Sequence, residues 1–549
     1  MLNLSRLDFT MSPYAFFLIV CVGIVVADGS TSALTRSKEC VIVGSGPMGL
    51  AAALTLSNPP HCYNVIVLDR ASNVDEYNPA MAYHFGINPR GLAWFDSLPK
   101  VAEKLAEIGS FPTNGVATQV IVPADPSEAI PPSYLMRRAA KGKHKKRCYI
   151  QRQSLVRLLY ECCIEQERER LEAKNASTGS IQILHGKTVD FVDSDGDDIL
   201  KMNCADGCTY SASLVVGADG IDSTVRSILS DKAQTGWLHS NPGQFTVKKY
   251  KTPSTGMTVK TLQFAPGMSI PNTTDSSIVM ETETYYSIQG VNTGRNDRIS
   301  LGFFPMKDPK MSRPATFATR RNHEVWSRQT GPAIKDFFVK AFPRINFDGV
   351  VSDKEWDRLA KSNGTTFPCS QYTPCSVLAS PSRETGVVLV GDACHAFPPD
   401  CGQGVNAGFQ DIAALDRALR GQDILNGRDL VKPGKKLLLG DALHAYQKNR
   451  GPEHKALVQL SRYFAPYQYK LHRRRDEICA FFWSINVKFR GFLNKATFGL
   501  FPTAVYFIGQ NYDLTFREVM FRANIGTLAL QLLVCIALVP FFVKRFRLV

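Results

Sequence analysis

No set of cysteines in this 549-residue chain carries the spacing of a structural zinc site. The 14 cysteines are scattered, and pairs such as Cys162-Cys163, Cys204/Cys208 and Cys394/Cys401 lack a second pair at ligand spacing. Two more, Cys21 and Cys535, lie in long apolar segments. No metal is therefore expected, and the cysteines read as buried free thiols, with a disulfide left open if the chain meets an oxidising lumen. Acidic residues are also in deficit, 49 against 64 Lys and Arg, for a net charge of +15. The excess sits in runs: Arg137-Arg138, Lys141 to Arg147, Arg473 to Arg475 and the last six residues. No aromatics interleave with these runs on a nucleic-acid-binding module, so solvated faces or membrane-surface contacts are expected and nucleic acid is not. Compositional bias is absent too: 44% hydrophobic and 21% charged residues exclude a disordered or fibrous chain and leave room for two or three domains.

What is present begins at Glu39. Cys40 to Val43 reads as a buried strand, and Gly44-x-Gly46-x-x-Gly49 opens an apolar helix running through Leu56. A second strand, Val65 to Leu68, ends in Asp69, at the separation expected of an acidic residue that closes on a ribose hydroxyl. The glycines allow the tight turn, the approach of a pyrophosphate and helix-strand packing. Strand, loop, helix, strand and acid in this order predict a dinucleotide site. Arg152, in Tyr149-Ile150-Gln151-Arg152, stands at a strand-helix junction where it meets a phosphate or flavin edge, or only solvent.

The same logic recurs twice. Leu214 to Gly217 is a buried strand ending in Asp219-Gly220, with a helix starting at Ser223. Val387 to Val390 is another, ending in Gly391-Asp392. After it come a loop rich in Pro and Gly (Pro398-Pro399, Gly402-Gln403-Gly404) and a helical pattern from Asn406. Loop amides and the positive end of the helix dipole suit an anionic or polar cofactor, while the Asp accepts from its hydroxyls. Taken alone, each loop could be a turn and nothing more. Together, and far along the chain from the GxGxxG, they make the cofactor domain discontinuous in sequence.

GSGPMG, GADGIDSTVR and VGDACHAFPPDCGQGVNAGFQD, in this order, resemble the motifs of the single-component FAD-dependent aromatic hydroxylases. The likeness extends furthest toward the kynurenine 3-monooxygenases, through Lys335-Asp336-Phe337-Phe338, Tyr467-Gln468-Tyr469 and the region around Tyr506. It spans roughly residues 38 to 545 and is loose between the motifs. The resemblance implies that Gly44, Gly46, Gly49 and Asp69 bind the ADP half of FAD, that Arg152 contacts the cofactor, and that Asp219-Gly220 serve both FAD and transient NADPH. Asp392 would take the ribityl chain, with Pro399, Gly402, Gln403, Gly404, Val405 and Asn406 beside the isoalloxazine. The family has no second GxGxxG for the nicotinamide, and none occurs here. It implies an enzyme that consumes NADPH and O2 and hydroxylates an aromatic small molecule through a flavin C4a-hydroperoxide. The catalytic chemistry is then the flavin's, no Ser/His/Asp triad is required, and His395 reads as structural.

One departure concerns the substrate. In the kynurenine enzymes an Arg, in a segment matching about Pro112 to Val120, holds the substrate carboxylate; here the segment reads PTNGVATQV. Tyr134 matches a helping Tyr, Gln468 stands where that family has Asn, and Tyr506 is retained; these three are the expected substrate-binding residues. Loss of a bidentate clamp predicts an altered substrate without an amino-acid carboxylate, unless Arg137 or Arg138 reaches in. Two other functions stay open: a flavin-dependent epoxidase or hydroxylase of an isoprenoid or lipid, and a non-catalytic FAD-binding membrane protein.

The expected fold class is α/β, with a discontinuous Rossmann-like FAD-binding domain, an antiparallel β substrate domain, a C-terminal helical region and a transmembrane helix. Short β-type runs at Phe245 to Tyr250, Thr258 to Phe264, Ser277 to Glu283, Tyr285 to Ile288 and Arg298 to Phe304 mark the substrate domain. The expected divisions are 1–37 (targeting segment), 38–229 and 384–450 (FAD-binding domain), 230–383 (substrate domain), 451–524 (helical region) and 525–549 (anchor and basic tail). Pro13 to Ala27 suits a signal-peptide core or a signal anchor. Ile525 to Val543 is an uncharged run of 19 residues flanked by Arg522 and by Lys544, Arg545 and Arg547. At about 1.5 Å per residue it just spans a bilayer core, making membrane lipid a partner. A single-pass C-terminal anchor in an endomembrane or organelle membrane, the mitochondrial outer membrane included, is the expected location.

Overall fold

The computed structural model describes residues 38–76, 83–112, 117–121, 135–138, 146–173, 177–195, 199–231, 238, 242–273, 276–291, 299–429, 436–467 and 474–546. The N-terminal targeting segment, Tyr134 and Gln468 lie outside them. The described elements belong to one unit, Lys38–Val549. The first part of the chain supplies β1 (Glu39–Val43), α1 (Pro47–Ser57), β2 (Asn64–Leu68), β3 (His84–Ile87), β4 (Ala117–Ile121), β5 (Leu135–Arg138) and β6 (Cys148–Gln151). It continues with α2 (Arg152–Glu172), β7 (Ile181–Leu184), β8 (Leu214–Gly217) and α3 (Thr224–Ser230). Then come β9 (Met257–Phe264), β10 (Tyr285–Gln289), β11 (Ser300–Phe303), β12 (Arg313–Arg320), β13 (Thr365–Thr366), β14 (Val377–Ala379) and β15 (Gly386–Leu389). The long helices that follow are α4 (Gly404–Leu419), α5 (Leu439–Ser461), α6 (Arg474–Ala496) and α7 (Phe516–Phe546), with a short helix, Val505–Ile508, before the last.

One sheet has the order β14-β15-β8-β1-β2-β7, parallel except for β14 at its edge. Past their first residues, Glu39 of β1 and Asn64 of β2, its central strands are apolar throughout because alternate residues enter two cores. Cys40 and Ile42 of β1, Leu214 and Val216 of β8, and Val388 of β15 pack with α1 and α4. Val41, Val43, Val215, Val387 and Leu389 pack on the opposite face. A continuous apolar run is what a strand covered on both faces requires. The strands line up in register, Val41 beside Val215 and Ile66, and Val215 beside Val387. Their C-terminal ends therefore bring Gly44, Asp69, Asp219 and Asp392 to one edge.

The second large sheet has the order β13-β9-β12-β11-β10-β4-β5. Three of the five expected β-type runs form β9, β10 and β11 of this sheet and the other two form the short strands Lys248–Tyr250 and Ser276–Val279 outside it, but its composition corrects the expectation in two ways. It is mixed rather than antiparallel, since β4 pairs with β10 in parallel. It also recruits β4 and β5 from the N-terminal third, and takes β12, whose Pro314 and alternating small polar residues gave no strand signal. Behind it lies a core rich in aromatics, with Phe338, Phe342, Phe347 and Trp356 packed face to edge.

α7 begins earlier than the apolar run suggested. Phe516 and Val519 are fully buried against α5 with Leu457 and Leu460. Glu453 caps this end, accepting from the Phe516 amide and from Arg517 Nε, each at 2.7 Å. A buried carboxylate at a helix N-terminus offsets the dipole and the orphan amides there. Further along, Ile525, Leu528, Leu532, Leu533, Val534, Ile536 and Val539 are exposed instead. The segment Phe516–Ile536 is long and apolar enough to cross a membrane.

Candidate active site

The turn after β1 is held by two close approaches. Gly44 has φ +103°, and a Cβ there would lie 2.6 Å from the Ala218 carbonyl oxygen at the end of β8. A Cβ on Gly49 would lie 1.8 Å from the Gly44 carbonyl oxygen, so α1 crosses the turn with no room for a side chain. Gly46 differs: nothing lies within 4 Å of an added Cβ. It faces a void, and the α1 N-terminus beside it has no side-chain cap and no acidic residue in its first turn. Uncapped amides at the positive end of a helix are an anion site in waiting. At the end of β2, Asp69 accepts from Ser45 Oγ at 2.7 Å and from the Ala71 amide at 2.8 Å, which pins the loop to the next strand.

Asp219, after β8, accepts from the Thr224 amide at 2.6 Å and the Val225 amide at 3.1 Å through Oδ2. Its Oδ1 is buried with no partner among the described residues. Burial pushes this carboxyl above its ordinary range, against the bonds from Ser223 and the α3 amides. Asp392, after β15, is likewise raised by burial, with His395 and Arg152 pulling it back. Its side chain keeps solvent access and lines the void. Arg226 joins the two Gly-Asp turns, donating to the carbonyls of Ala393 at 2.6 Å and Ile221 at 2.7 Å.

These groups face one cavity of about 2270 Å³. A single small-molecule pocket is usually about 300–1,000 Å³, so this one has room for a large cofactor and a second molecule. Gly44, Gly46, Asp69 and Arg152 line it, as do Asp219, Gly220 and Asp392. So do Pro399, Gly402, Gln403, Gly404 and Val405 in the loop before α4. Gly402 and Gly404 have nothing within 4 Å of an added Cβ, and α4 also starts without a side-chain cap. Gly49 and Asn406 are the two predicted residues in this group that sit behind the wall. Asn406 is fully buried and ties the loop to β3, donating to the carbonyls of Gly86 and Gly402 at 2.9 Å and accepting from the Asn88 amide at 2.8 Å. Two open helix N-termini, an orphaned carboxylate oxygen and a ring of strand-end acids fit a long, doubly anionic dinucleotide with hydroxyl groups.

At the far end the lining turns aromatic. Phe304 stacks on His84 at 5.3 Å and meets Tyr285 edge-on at 5.2 Å, with Tyr149 at 6.2 Å. Burial keeps the Tyr285 phenol above its ordinary range. Tyr467 and Tyr506 line this end as well. Arg147 is on the wall, its guanidinium donating to the Tyr512 hydroxyl and lying 5.5 Å from that ring's centre. Reading the sequence did not single out Arg147, Tyr149, Tyr285 or Phe304 for the site. The strand alternation that sends Arg147 and Tyr149 the same way was visible; the neighbours from β10 and β11 were not. The side chains of Arg137 and Arg138 lie outside what is described.

Beneath the Asp392 turn is a fully buried polar cluster. Asp411 of α4 accepts from His395 Nε2 at 2.7 Å and the Gly391 amide at 3.0 Å on one oxygen. On the other it accepts from Arg450 Nε at 2.8 Å and His454 Nε2 at 2.7 Å. Two histidines and an aspartate converging in this way have the geometry of a metal site. Each carboxylate oxygen already accepts two hydrogen bonds, however, and Arg450 supplies the cation. His454 is pushed down to about 4 by burial, and the Cys394 thiol is raised well above its ordinary value by burial. A neutral His454 that donates through Nε2 accepts from the Cys394 S–H at Nδ1, 3.2 Å away. The cluster is a hydrogen-bonded mount for the Gly391-Asp392 turn.

A parallel sheet whose strand ends carry a GxGxxG turn and two Gly-Asp turns around one long cavity defines a dinucleotide-binding flavoprotein fold. The family described as "FAD binding domain" matches residues 37–298 and 354–428, and the chain belongs to it. It is an FAD-dependent monooxygenase of that family. It is similar to "FAD-dependent monooxygenase olcE" of Penicillium canescens, 26% identical over 444 residues, covering 78% of this chain and 80% of the relative. A "Kynurenine 3-monooxygenase" of Salinispora arenicola is 27% identical over 260 residues, covering 46% of this chain and 45% of the relative. Among solved structures, a 2-methyl-3-hydroxypyridine-5-carboxylic acid oxygenase variant shares the fold with TM-score 0.51 and 15% identity, covering 78% of this chain and 91% of that one.

Proposed function

We propose that this chain is an NADPH-consuming monooxygenase that inserts one oxygen atom into an aromatic ring, and that its substrate lacks an amino-acid carboxylate. The observation that carries this reading is the single cavity that runs from the Gly44–Gly49 turn past Asp219 and Asp392 to an aromatic end. Gly46 and the α1 amides hold the pyrophosphate of FAD, Asp69 the adenosine ribose, Asp219 a cofactor hydroxyl, Asp392 the ribityl chain, and Gly402 to Val405 the flavin ring edge. Bound FAD supplies hydride acceptance from NADPH and activation of O2. The chain's own residues do the rest. Phe304, Tyr285 and Tyr149 orient an aromatic ring and exclude water. The Tyr285 phenol, held above its ordinary range by burial, is placed to donate a hydrogen bond to a substituent of that ring.

The test is direct. NADPH added without oxygen should bleach the flavin, and in air a phenolic substrate should be recovered heavier by one oxygen on mass analysis. A flavin that NADPH leaves oxidised across an aromatic panel would refute the reading. Kynurenine should not be turned over; stoichiometric 3-hydroxykynurenine would refute the altered-substrate part alone.

Arg147 is a cation on the cavity wall, and the segment PTNGVATQV reaches the same region through β4, whose Ala117 pairs with Tyr285. Arg147 offers a charge-assisted bond to an acidic oxygen such as a phenolate, with Tyr506 and Tyr512 beside it. Arg147→Ala should raise KM for an acidic phenol about tenfold or more, the worth of one hydrogen bond to a charged group, and leave kcat within about threefold. An unchanged KM would remove Arg147 from substrate binding.

A further inference from the structure

One apolar stripe of α6 is turned away from the protein. Ile478, Phe481, Phe482, Ile485, Phe489 and Phe492 recur at helical spacing on one face, and each is 46% to 64% exposed. The opposite face holds the helix to the body through other contacts. Asp476 accepts from Arg320 at 3.3 Å, and Trp483 meets Tyr467 at 6.2 Å. Arg490, 6% exposed, donates to Thr527 of α7 at 2.9 Å. A surface helix in water normally shows the reverse arrangement, apolar stripe inward. The outward surface also continues beyond α6. Phe498 is 98% and Leu500 88% exposed, and Ile525, Leu528 and Leu532 of α7 are 45% to 58% exposed. Contiguous apolar surface of this extent marks an interface, unlike single exposed side chains.

We propose that the α6 stripe lies in the interfacial layer of a lipid bilayer beside α7, and that the cavity draws a lipophilic aromatic substrate from that layer. Continuity selects a bilayer as the occupant. The Arg490–Thr527 bond sets the stripe beside a helix long and apolar enough to cross a membrane. Charge agrees: Arg475 and Lys488 are exposed along the two borders of the stripe, placed to reach anionic headgroups while their stems rest on apolar surface. The link to the cavity is the next face of the same helix, where Ala480, Phe481 and Ser484 line the void. Phe481 belongs to both faces, so α6 is the wall between lipid and cavity. The uptake half of this proposal rests on the cavity being the catalytic one proposed above; the docking half does not.

The experiment uses the full FAD-loaded chain in phosphatidylcholine–phosphatidylglycerol vesicles, with and without brominated acyl chains. Phe482→Trp and Phe489→Trp each add an indole to an exposed position, so folding is spared. Their added fluorescence should be quenched about twofold or more by the brominated lipid, as an aromatic seated in the headgroup–acyl boundary must be. Lys100→Trp, 74% exposed on a distant helix, should not be quenched. An unquenched indole in both stripe variants overturns the docking, whether it reports water or, with a doubled mass on cross-linking, a second copy of the chain. For uptake, Phe482→Asp should raise KM about fivefold or more for a lipophilic phenol delivered in vesicles, and within about twofold for the same phenol delivered in cyclodextrin. Equal changes in the two deliveries overturn the uptake route. Quenching is read without turnover, so a chain that seats α6 in lipid yet oxidises no NADPH defeats the functional reading and not the docking.

Discussion

Gly49→Leu should yield protein with less than about a tenth of the wild-type flavin content by visible absorbance. The added Cβ would fall 1.8 Å from the Gly44 carbonyl oxygen, a backbone atom held by the Gly44 amide's bond to the Leu68 carbonyl at 2.8 Å. Neither side can yield cheaply. α1 must lift from the sheet or the turn must open, and either moves the uncapped amides beside Gly46 away from the pyrophosphate. Overpacking of this kind costs about 1–3 kcal/mol and often more, and each 1.4 kcal/mol taken from cofactor binding is a factor of ten in the dissociation constant. The circular dichroism of the apoprotein should stay close to wild type, since the other core contacts persist. A full flavin complement in Gly49→Leu would show that this turn is not the dinucleotide site.

The second large effect is expected at Asp411, whose two oxygens accept from His395, Gly391, Arg450 and His454. Asp411→Ala strands a buried guanidinium and should cost about 3–5 kcal/mol of stability, with loss of flavin as the Gly391-Asp392 turn loosens. Asp411→Asn should fall between, because an amide replaces one acceptor oxygen with a donor facing donors. The cluster also sets a pH dependence. His454 has a folded pKa of about 4 against about 6.5 unfolded, so between those values the unfolded chain binds more protons. Its contribution is complete above about pH 6.5 and lost as pH falls toward 4, on the order of 3 kcal/mol. Asp411 is held well below its ordinary value, chiefly by His454 and Arg450 working against burial. Its own contribution is therefore present above about pH 4 and lost below it. The thermal midpoint should fall steadily from pH 6.5 to 4, and His454→Gln should flatten that slope. A midpoint independent of pH over this window would mean that His454 is protonated in the fold.

The cofactor half of the molecule was legible because its signals are local. Strands covered on both faces are apolar past their first residues, so β1, β2, β8 and β15 read as continuous runs. Close backbone approaches admit only glycine, so Gly44 and Gly49 announce the turn. The helices α1 and α4 carry their own periodicity. The substrate half was legible only in part. β4 and β5 join a sheet whose other strands come more than a hundred residues later, and no local pattern records that pairing. β12 carries a proline and small polar residues and takes its strand conformation from β9, with which it pairs along its whole length.

The sequence by itself determined the strand-turn-helix units, the three Gly- and Asp-bearing strand ends, and from them the flavin chemistry. It also marked the departure at PTNGVATQV on which the proposal of a substrate other than kynurenine rests. Only the tertiary structure decided which residues meet at the aromatic end, because Arg147, Tyr285, Phe304 and Tyr512 converge from separate elements. Only it showed that Asn406 braces the loop from behind while Gly402 to Val405 face the void. Only it showed that the apolar stripe of α6 points outward, since periodicity says that a helix has an apolar face and cannot say toward which neighbour the face is turned.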